Sequence, residues 1–203
     1  MKLNTVERLA MNNPVRAAHQ HHREAAWFAE LSHGELKDAN VLEVGCGRGV
    51  GIEVLLDRLG ARQVTAFDLD PAMVESAQRR LRSRLGDAVR LSIGDATQIA
   101  HPAASFDAVV DFGIIHHVQE WQQAVAEIAR VLRPGGRLLF EEVPGHVLDS
   151  WALRTFTDHP RTNRFEASEF ADELARHGLQ SSGALRSRLG GMLFTGAAVR
   201  FNG

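Results

Sequence analysis

Val41-Leu42-Glu43-Val44-Gly45-Cys46-Gly47-Arg48-Gly49 is an apolar strand that runs into three glycines spaced two apart. Glycine has no side chain, so a ligand can lie directly against the backbone of such a loop. The helix expected just after it offers unpaired N–H groups at its first turn. Two carboxylates, Asp68 and Asp70, follow about one βαβ unit later, where a ribose is held when a nucleotide lies on the loop. The pattern points to a nucleoside-containing ligand.

Outward from this loop, strands and helices alternate. A strand at 40–44 leads to a helix over about 49–59 that stops at Gly60. A strand at 63–68 precedes a helix over about 71–84, with Asp70 as its N-cap and Pro71 in the first turn. Residues 88–93 and 106–111 read as strands, 121–132 as an amphipathic helix ending before Pro134-Gly135-Gly136, and 137–143 as a further strand. Such alternation implies parallel pairing with right-handed crossovers. In the tail, a helix over about 168–177, capped by Ser168 and ended by Gly178, leads into 179–188. Gly190-Gly191 then turns the chain into 192–201. Two strands about a Gly-Gly turn make a hairpin, so the sheet should end with an antiparallel strand. Residues 1 to about 36 read as helical, with Trp27, Phe28 and Leu31 on one face and Pro14 opening a second helix. The expected fold is a doubly wound α/β domain: a mostly parallel sheet, helices on both faces and an N-terminal helical cover.

The chain has 203 residues, enough for one domain with a sizeable core. A formal net charge of -2 gives no basic surplus for nucleic acid or anionic lipid. The first residues have no apolar segment of a secretory signal, and no apolar run approaches the ~20 residues that cross a bilayer. The single cysteine, Cys46, excludes an internal disulfide and any multi-cysteine metal site. A cytoplasmic protein is expected.

The glycine spacing departs from the dehydrogenase pattern G-x-G-x-x-G, whose third glycine would fall at Val50, and no P-loop occurs. The chain instead resembles the class I S-adenosylmethionine-dependent methyltransferases, in particular their small-molecule branch, over about residues 40–142. The glycine loop resembles that family's first motif and Thr65-Ala66-Phe67-Asp68-Leu69-Asp70-Pro71-Ala72-Met73 its second. Gly94-Asp95-Ala96 resembles the third, and Phe106-Asp107-Ala108-Val109-Val110-Asp111 through Ile115-His116-His117-Val118 the fourth. Leu132-Arg133-Pro134-Gly135-Gly136-Arg137-Leu138 is similar to the family's turn into its fifth strand, and the terminal hairpin fits its seven-stranded sheet.

The resemblance implies a cofactor, S-adenosyl-L-methionine, leaving as S-adenosyl-L-homocysteine. Gly45, Cys46, Gly47 and Gly49 would lie under its methionine portion and ribose, with Glu43 close to the amino-acid end. Asp68 would accept from both ribose hydroxyls, a task suited to an acceptor-only carboxylate. Asp95 would accept from the adenine amino group, the Ala96 N–H would face the ring, and Leu69 and Met73 would flank it. The family places Asp111, Phe112, Gly113, Ile115 and His116 beside the methyl. His116 is the candidate base or substrate contact. Glu142, at the end of the fifth strand, is a candidate base or amine binder, while Glu141 should point to the opposite face. Residues 143–165 form a variable lid region, with Trp151, Phe156 and His159 as candidate lid residues, before the C-terminal helix and hairpin of 166–203.

On a helix His19 and His22 share a face and His21 does not, so no metal is expected there. The chain lacks tyrosine and an Asn/Asp-Pro-Pro-Tyr sequence, which argues against amino-methyltransferases of DNA. Three readings stay open: methyl transfer to a small-molecule acceptor, an RNA or protein methyltransferase, and a non-catalytic module that binds the cofactor. Neither nucleic acid nor membrane is an expected partner, and the oligomeric state is not legible.

Overall fold

The computed structural model describes residues 14–149 and 160–201. The first strand, β1 (Asn40–Val44), pairs in parallel with β2 (Gln63–Asp68) on one side and with β4 (Phe106–Phe112) on the other. β3 (Val89–Ile93) pairs in parallel with β2, and β5 (Leu132–Glu142) with β4. β6 (Leu179–Ser181) and β7 (Arg186–Arg188) both run antiparallel to β8 (Leu193–Arg200), which pairs antiparallel with β5. The order is β3-β2-β1-β4-β5-β8-β6, with β7 also on β8. The chain leaves β1 in one direction for β2 and returns on its other side as β4. That reversal opens a crevice beyond the strand tips.

Alternation along β1 divides the two layers. Leu42 and Val44 face a core built with Trp121, Phe140, Phe165 and Phe170, whose rings pack 4.7–5.0 Å apart in successive contacts. Val41 faces the other core, with Phe28, Ile52, Leu55 and Leu81. The helices on these faces are α3 (Val50–Asp57), α4 (Pro71–Arg80), α5 (Trp121–Val131), the short α6 (Gly145–Leu148) and α7 (Ala167–Arg176). No helix among the described residues is long and apolar enough to cross a membrane.

Several expected boundaries shift. The Asp70 carboxylate accepts from the Ala72 N–H at 3.0 Å, as an N-cap should, but α4 ends at Arg80 and the chain tightens into a 3₁₀ turn at Arg82–Arg84. α7 is capped by Glu166 rather than Ser168: Glu166 and Glu169 form a reciprocal capping box that sets the first turn one residue earlier. The stretch 179–188, expected as one strand, is broken. Ser181 Oγ donates to the Gly183 carbonyl and pulls the chain off the edge before it rejoins β8 at Arg186. Eight strand segments therefore stand where seven were expected. β5 begins five residues early, because the Pro-Gly-Gly stretch stays in the ladder as a bulge between the Phe106–Leu132 and Ala108–Arg137 pairs.

The cover consists of α1 (Pro14–His19), a π-helical turn (Gln20–Glu24) and α2 (Ala25–Ser32). The Ala25 N–H donates to the Gln20 carbonyl, five residues back. Phe28 and Leu31 are buried as expected, and Trp27 stacks under the Arg188 guanidinium at 5.0 Å. His21 Nε2 lies 3.3 Å from Glu53 Oε2, which also accepts from Arg80 at 3.0 Å, so the cover is tied to α3 and α4. Residues 1–13 and the lid candidates Trp151, Phe156 and His159 lie outside the described residues.

Candidate active site

A cleft of about 460 Å³ opens at the tips of β1, β2 and β4. Ala17 and Gln20 of the cover close it from above, and Pro160 borders it from the far side. Its floor is the loop after β1. Gly47 has φ +49°, and a Cβ there would meet nothing within 4 Å, so bare backbone faces the cleft. At Gly45 a Cβ would lie 2.6 Å from Ile114, so the missing side chain lets the loop after β4 close down on this floor.

Two carboxylates flank the floor. Asp68, at the tip of β2, accepts from the Gly47 N–H through Oδ2 and from the Asp70 N–H through Oδ1, both at 2.9 Å. These bonds aim the carboxylate at the cleft, and burial raises its pKa above the usual range despite them. Glu43, on β1, turns toward the α3 face, is 1 % exposed, and its Oε2 has no hydrogen-bond partner. Burial above all, then the charges of Asp68 and Asp111, hold its pKa well above the carboxylate range. A buried carboxyl of this kind is completed by a cation. Room for it comes from Gly51, where a Cβ would lie 2.1 Å from Glu43 Oε1 and 2.7 Å from the Phe112 ring. Ala is usually the better helix former, by about 1 kcal/mol. Here the clash outweighs that gain, and Gly51→Ala should destabilise the fold by about 1–3 kcal/mol. Calorimetry checks this; an unchanged or raised unfolding midpoint would refute this placement of Glu43.

The loop after β4 is held from behind. Asp111 Oδ1 accepts from the Ile114 N–H at 2.8 Å. Glu142 is fully buried and accepts from the Ile115 N–H at 2.7 Å, the His116 N–H at 3.1 Å and His116 Nδ1 at 2.5 Å. Burial, and then the charge of Glu142, raise the Asp111 pKa well above the carboxylate range; burial lifts Glu142 to about 7. Both acidic groups and the His116 ring stand behind the loop, and none of them lines the cleft. His117 does line it, with its ring centroid 4.3 Å from that of His116.

The family described as methyltransferase domain matches residues 42–140. A Mycolicibacterium smegmatis protein described as a probable S-adenosylmethionine-dependent methyltransferase is 33% identical over 158 residues, 78% of this chain and 58% of that one. The malonyl-acyl carrier protein O-methyltransferase of a Paenibacillus species is 33% identical over 111 residues, 54% of this chain and 40% of that one. A crystal structure of a SAM-dependent methyltransferase from Aquifex aeolicus superposes with a TM-score of 0.75 at 19% identity, over 98% of this chain and 100% of that one. The chain carries a methyltransferase domain over residues 42–140, on the fold of the S-adenosylmethionine-dependent methyltransferases. It spans about half the length of the curated relatives it matches.

Within this methyltransferase fold, the cleft gathers most of the residues the sequence singled out. Glu43, Gly45, Cys46, Gly47, Asp68 and Leu69 line it, as do Met73, Asp95, Ala96, Phe112 and Gly113. Asp95 Oδ1 accepts from the Thr97 N–H and hydroxyl at 2.8 and 2.7 Å, which turns the chain at the tip of β3. Burial pushes the Cys46 thiol up, which keeps it from acting as a thiolate. Five expected site residues stand elsewhere, Ile115 among them, fully buried in the core. A Cβ on Gly49 would meet Leu81 and Ala77 at 2.9 and 3.2 Å, so its bare face packs on α4 instead of opening to a ligand. Asp111, His116 and Glu142 serve the loop from behind, because Asp111 and Glu142 lie on the sheet face opposite Glu43. Arg48, Ile114, Gln119 and Glu120 line the cleft without having been singled out as contacts there. Gly51 is visible in the sequence as a fourth glycine just after the loop, but only the structure gives it a role, the close approach of helix to strand. Among the described residues no cluster of three or more His, Cys, Asp or Glu side chains could hold a metal; His21 is bonded to Glu53 instead.

Proposed function

We propose that this chain binds S-adenosyl-L-methionine in the cleft and transfers its methyl group to a small-molecule acceptor, in the cytoplasm. The observation that carries this reading is the pairing of Glu43 and Asp68. Two carboxyls at adjacent strand tips flank a floor of bare backbone, and one of them has a buried oxygen without a partner. A ligand with both a cationic head and a diol suits that pair. Among the described residues, five carboxyl groups (Glu43, Asp68, Asp70, Asp95 and Glu120) and two guanidiniums (Arg48 and Arg80) line the cleft, a balance that favours a cationic ligand.

When bound, the cofactor supplies a methyl group already activated on a sulfonium. The chain's own work is to bind, orient and exclude water. Asp68 keeps a lone pair on each oxygen for the ribose hydroxyls, beyond the bonds it accepts from Gly47 and Asp70. Glu43 takes the ammonium end, Asp95 the adenine amino group and the Ala96 N–H the ring edge, with Leu69 and Met73 on its faces. The cover, through Ala17 and Gln20, keeps water from the methyl.

Titration calorimetry tests this directly. S-adenosylmethionine should bind the wild-type chain, and Asp68→Ala should weaken binding by roughly 1.5–3 kcal/mol, about 10- to 150-fold. Equal affinity in the folded variant removes Asp68 from the site, and no binding to the wild-type chain removes the reading. The relative named for malonyl-acyl carrier protein supports a second reading, an acceptor presented on a carrier protein. Release of S-adenosylhomocysteine with carrier-free acceptors separates the two.

A further inference from the structure

Resting on the reading that S-adenosylmethionine occupies the cleft, we propose that His117 is the catalytic base and that the acceptor is a neutral hydroxyl or amine on an apolar molecule. One wall of the cleft is formed by the tip of β4 and the segment after it, with Pro160 beside them. Phe112, Gly113, Ile114, Val118 and Pro160 make it apolar. Glu120 is its one carboxylate among the described residues. The two guanidiniums that border the cleft, Arg48 and Arg80, stand on the glycine loop and at the end of α4. Among the described residues, a carboxylate or phosphate acceptor would therefore lie beside Glu120 without a cation from this wall. A neutral hydroxyl or amine fits, and it must lose a proton as it is methylated.

Among the described residues His117 is the imidazole on that wall, and imidazole is the side chain suited to act as a general base. Its neighbour His116 cannot take the task directly, because Glu142 fixes its Nδ1 behind the loop. The two rings stack at 4.3 Å with planes 36° apart, so the clamped His116 sets the attitude of His117. His116, Glu142 and Asp111 are thus positioning residues. In the reaction the lone pair of the acceptor oxygen or nitrogen forms the bond to the methyl carbon. The carbon–sulfur electron pair stays on sulfur, and the acceptor's proton passes to a ring nitrogen of His117 and then to water.

Three naphthyl probes of one shape test this: 1-naphthol, 1-naphthylamine and 1-naphthoate. In the wild-type protein loaded with S-adenosylhomocysteine, naphthol should shift the His117 ring resonances in the NMR spectrum, and naphthoate should not. With S-adenosylmethionine, naphthol or the amine should be methylated in preference to naphthoate. His117→Gln should lower that rate by about 100-fold or more, with cofactor affinity unchanged. The deficit should shrink for a nitrophenol, which ionises near neutral pH without help. Preference for naphthoate, a silent His117 resonance, no transfer to either neutral probe, or equal rates in His117→Gln each overturn the proposal while leaving the cofactor assignment intact. Failure of S-adenosylhomocysteine to bind the wild-type chain removes the cofactor reading itself. The resonance measurement uses the wild-type chain, so a variant that does not fold leaves the test in place.

Discussion

Replacing Glu142 with alanine should destabilise the fold by about 3–5 kcal/mol, the scale of breaking a buried charged network. For a domain of this size that lowers the unfolding midpoint by about 6–20 °C. Glu142 is fully buried, and its two oxygens accept from two backbone N–H groups and one imidazole. Truncation leaves those donors in a site that water does not reach, and each unmet donor costs about 1–3 kcal/mol. The turn at Ile115–His117 would then lose its anchor to β5, and with it the placement of His117. Glu142→Gln keeps one acceptor oxygen and should lose less. Thermal unfolding of both variants is the measurement. A loss under about 1 kcal/mol in Glu142→Ala would show that this turn is held by other contacts.

Stability should also fall as pH rises from mildly acidic to mildly alkaline. Burial raises the pKa of Glu142 to about 7, and that of Asp111 and Glu43 well above the carboxylate range. In the unfolded chain the same groups ionise near pH 4. Between those limits the native state binds more protons than the unfolded state, so unfolding releases protons and stability declines with rising pH. The contribution is fully present below the unfolded pKa and is lost as pH rises through the folded one. From Glu142 alone, a change from 4.5 to about 7 corresponds to a decline on the order of 3 kcal/mol. Asp111 and Glu43 act in the same direction. Denaturant unfolding at about pH 5.5 and about pH 8 should show the lower midpoint at the higher pH. A flat or rising profile would mean these carboxyls are already ionised in the folded protein. Bound S-adenosylmethionine should narrow the difference, because a cation beside Glu43 favours its charged form.

The amino-acid sequence by itself determined the α/β alternation, the cleft at the first strand and the acidic strand tips. These signals are local. Glycines that permit positive φ, a Pro after an Asp cap and strands apolar on both faces act within a few residues of one another. The matching family, reported above for residues 42–140, rests on the same local patterns. Tertiary structure alone decided the rest. Gly49 and Gly51 look interchangeable in a glycine-rich loop. Only the approach of α4 turns one into a packing contact, and only Glu43 and Phe112 make the other a gap for a carboxyl. His116 and His117 are adjacent and chemically identical. Glu142, 26 residues from His116, holds that ring behind the loop and leaves His117 on the cleft wall. Ser168 is a good cap in isolation, but Glu166 takes that place, bonded both to Glu169 and to the distant His146. In each case the deciding atom belongs to an element far away in the chain. No periodicity or turn preference reports its distance until the sheet has closed.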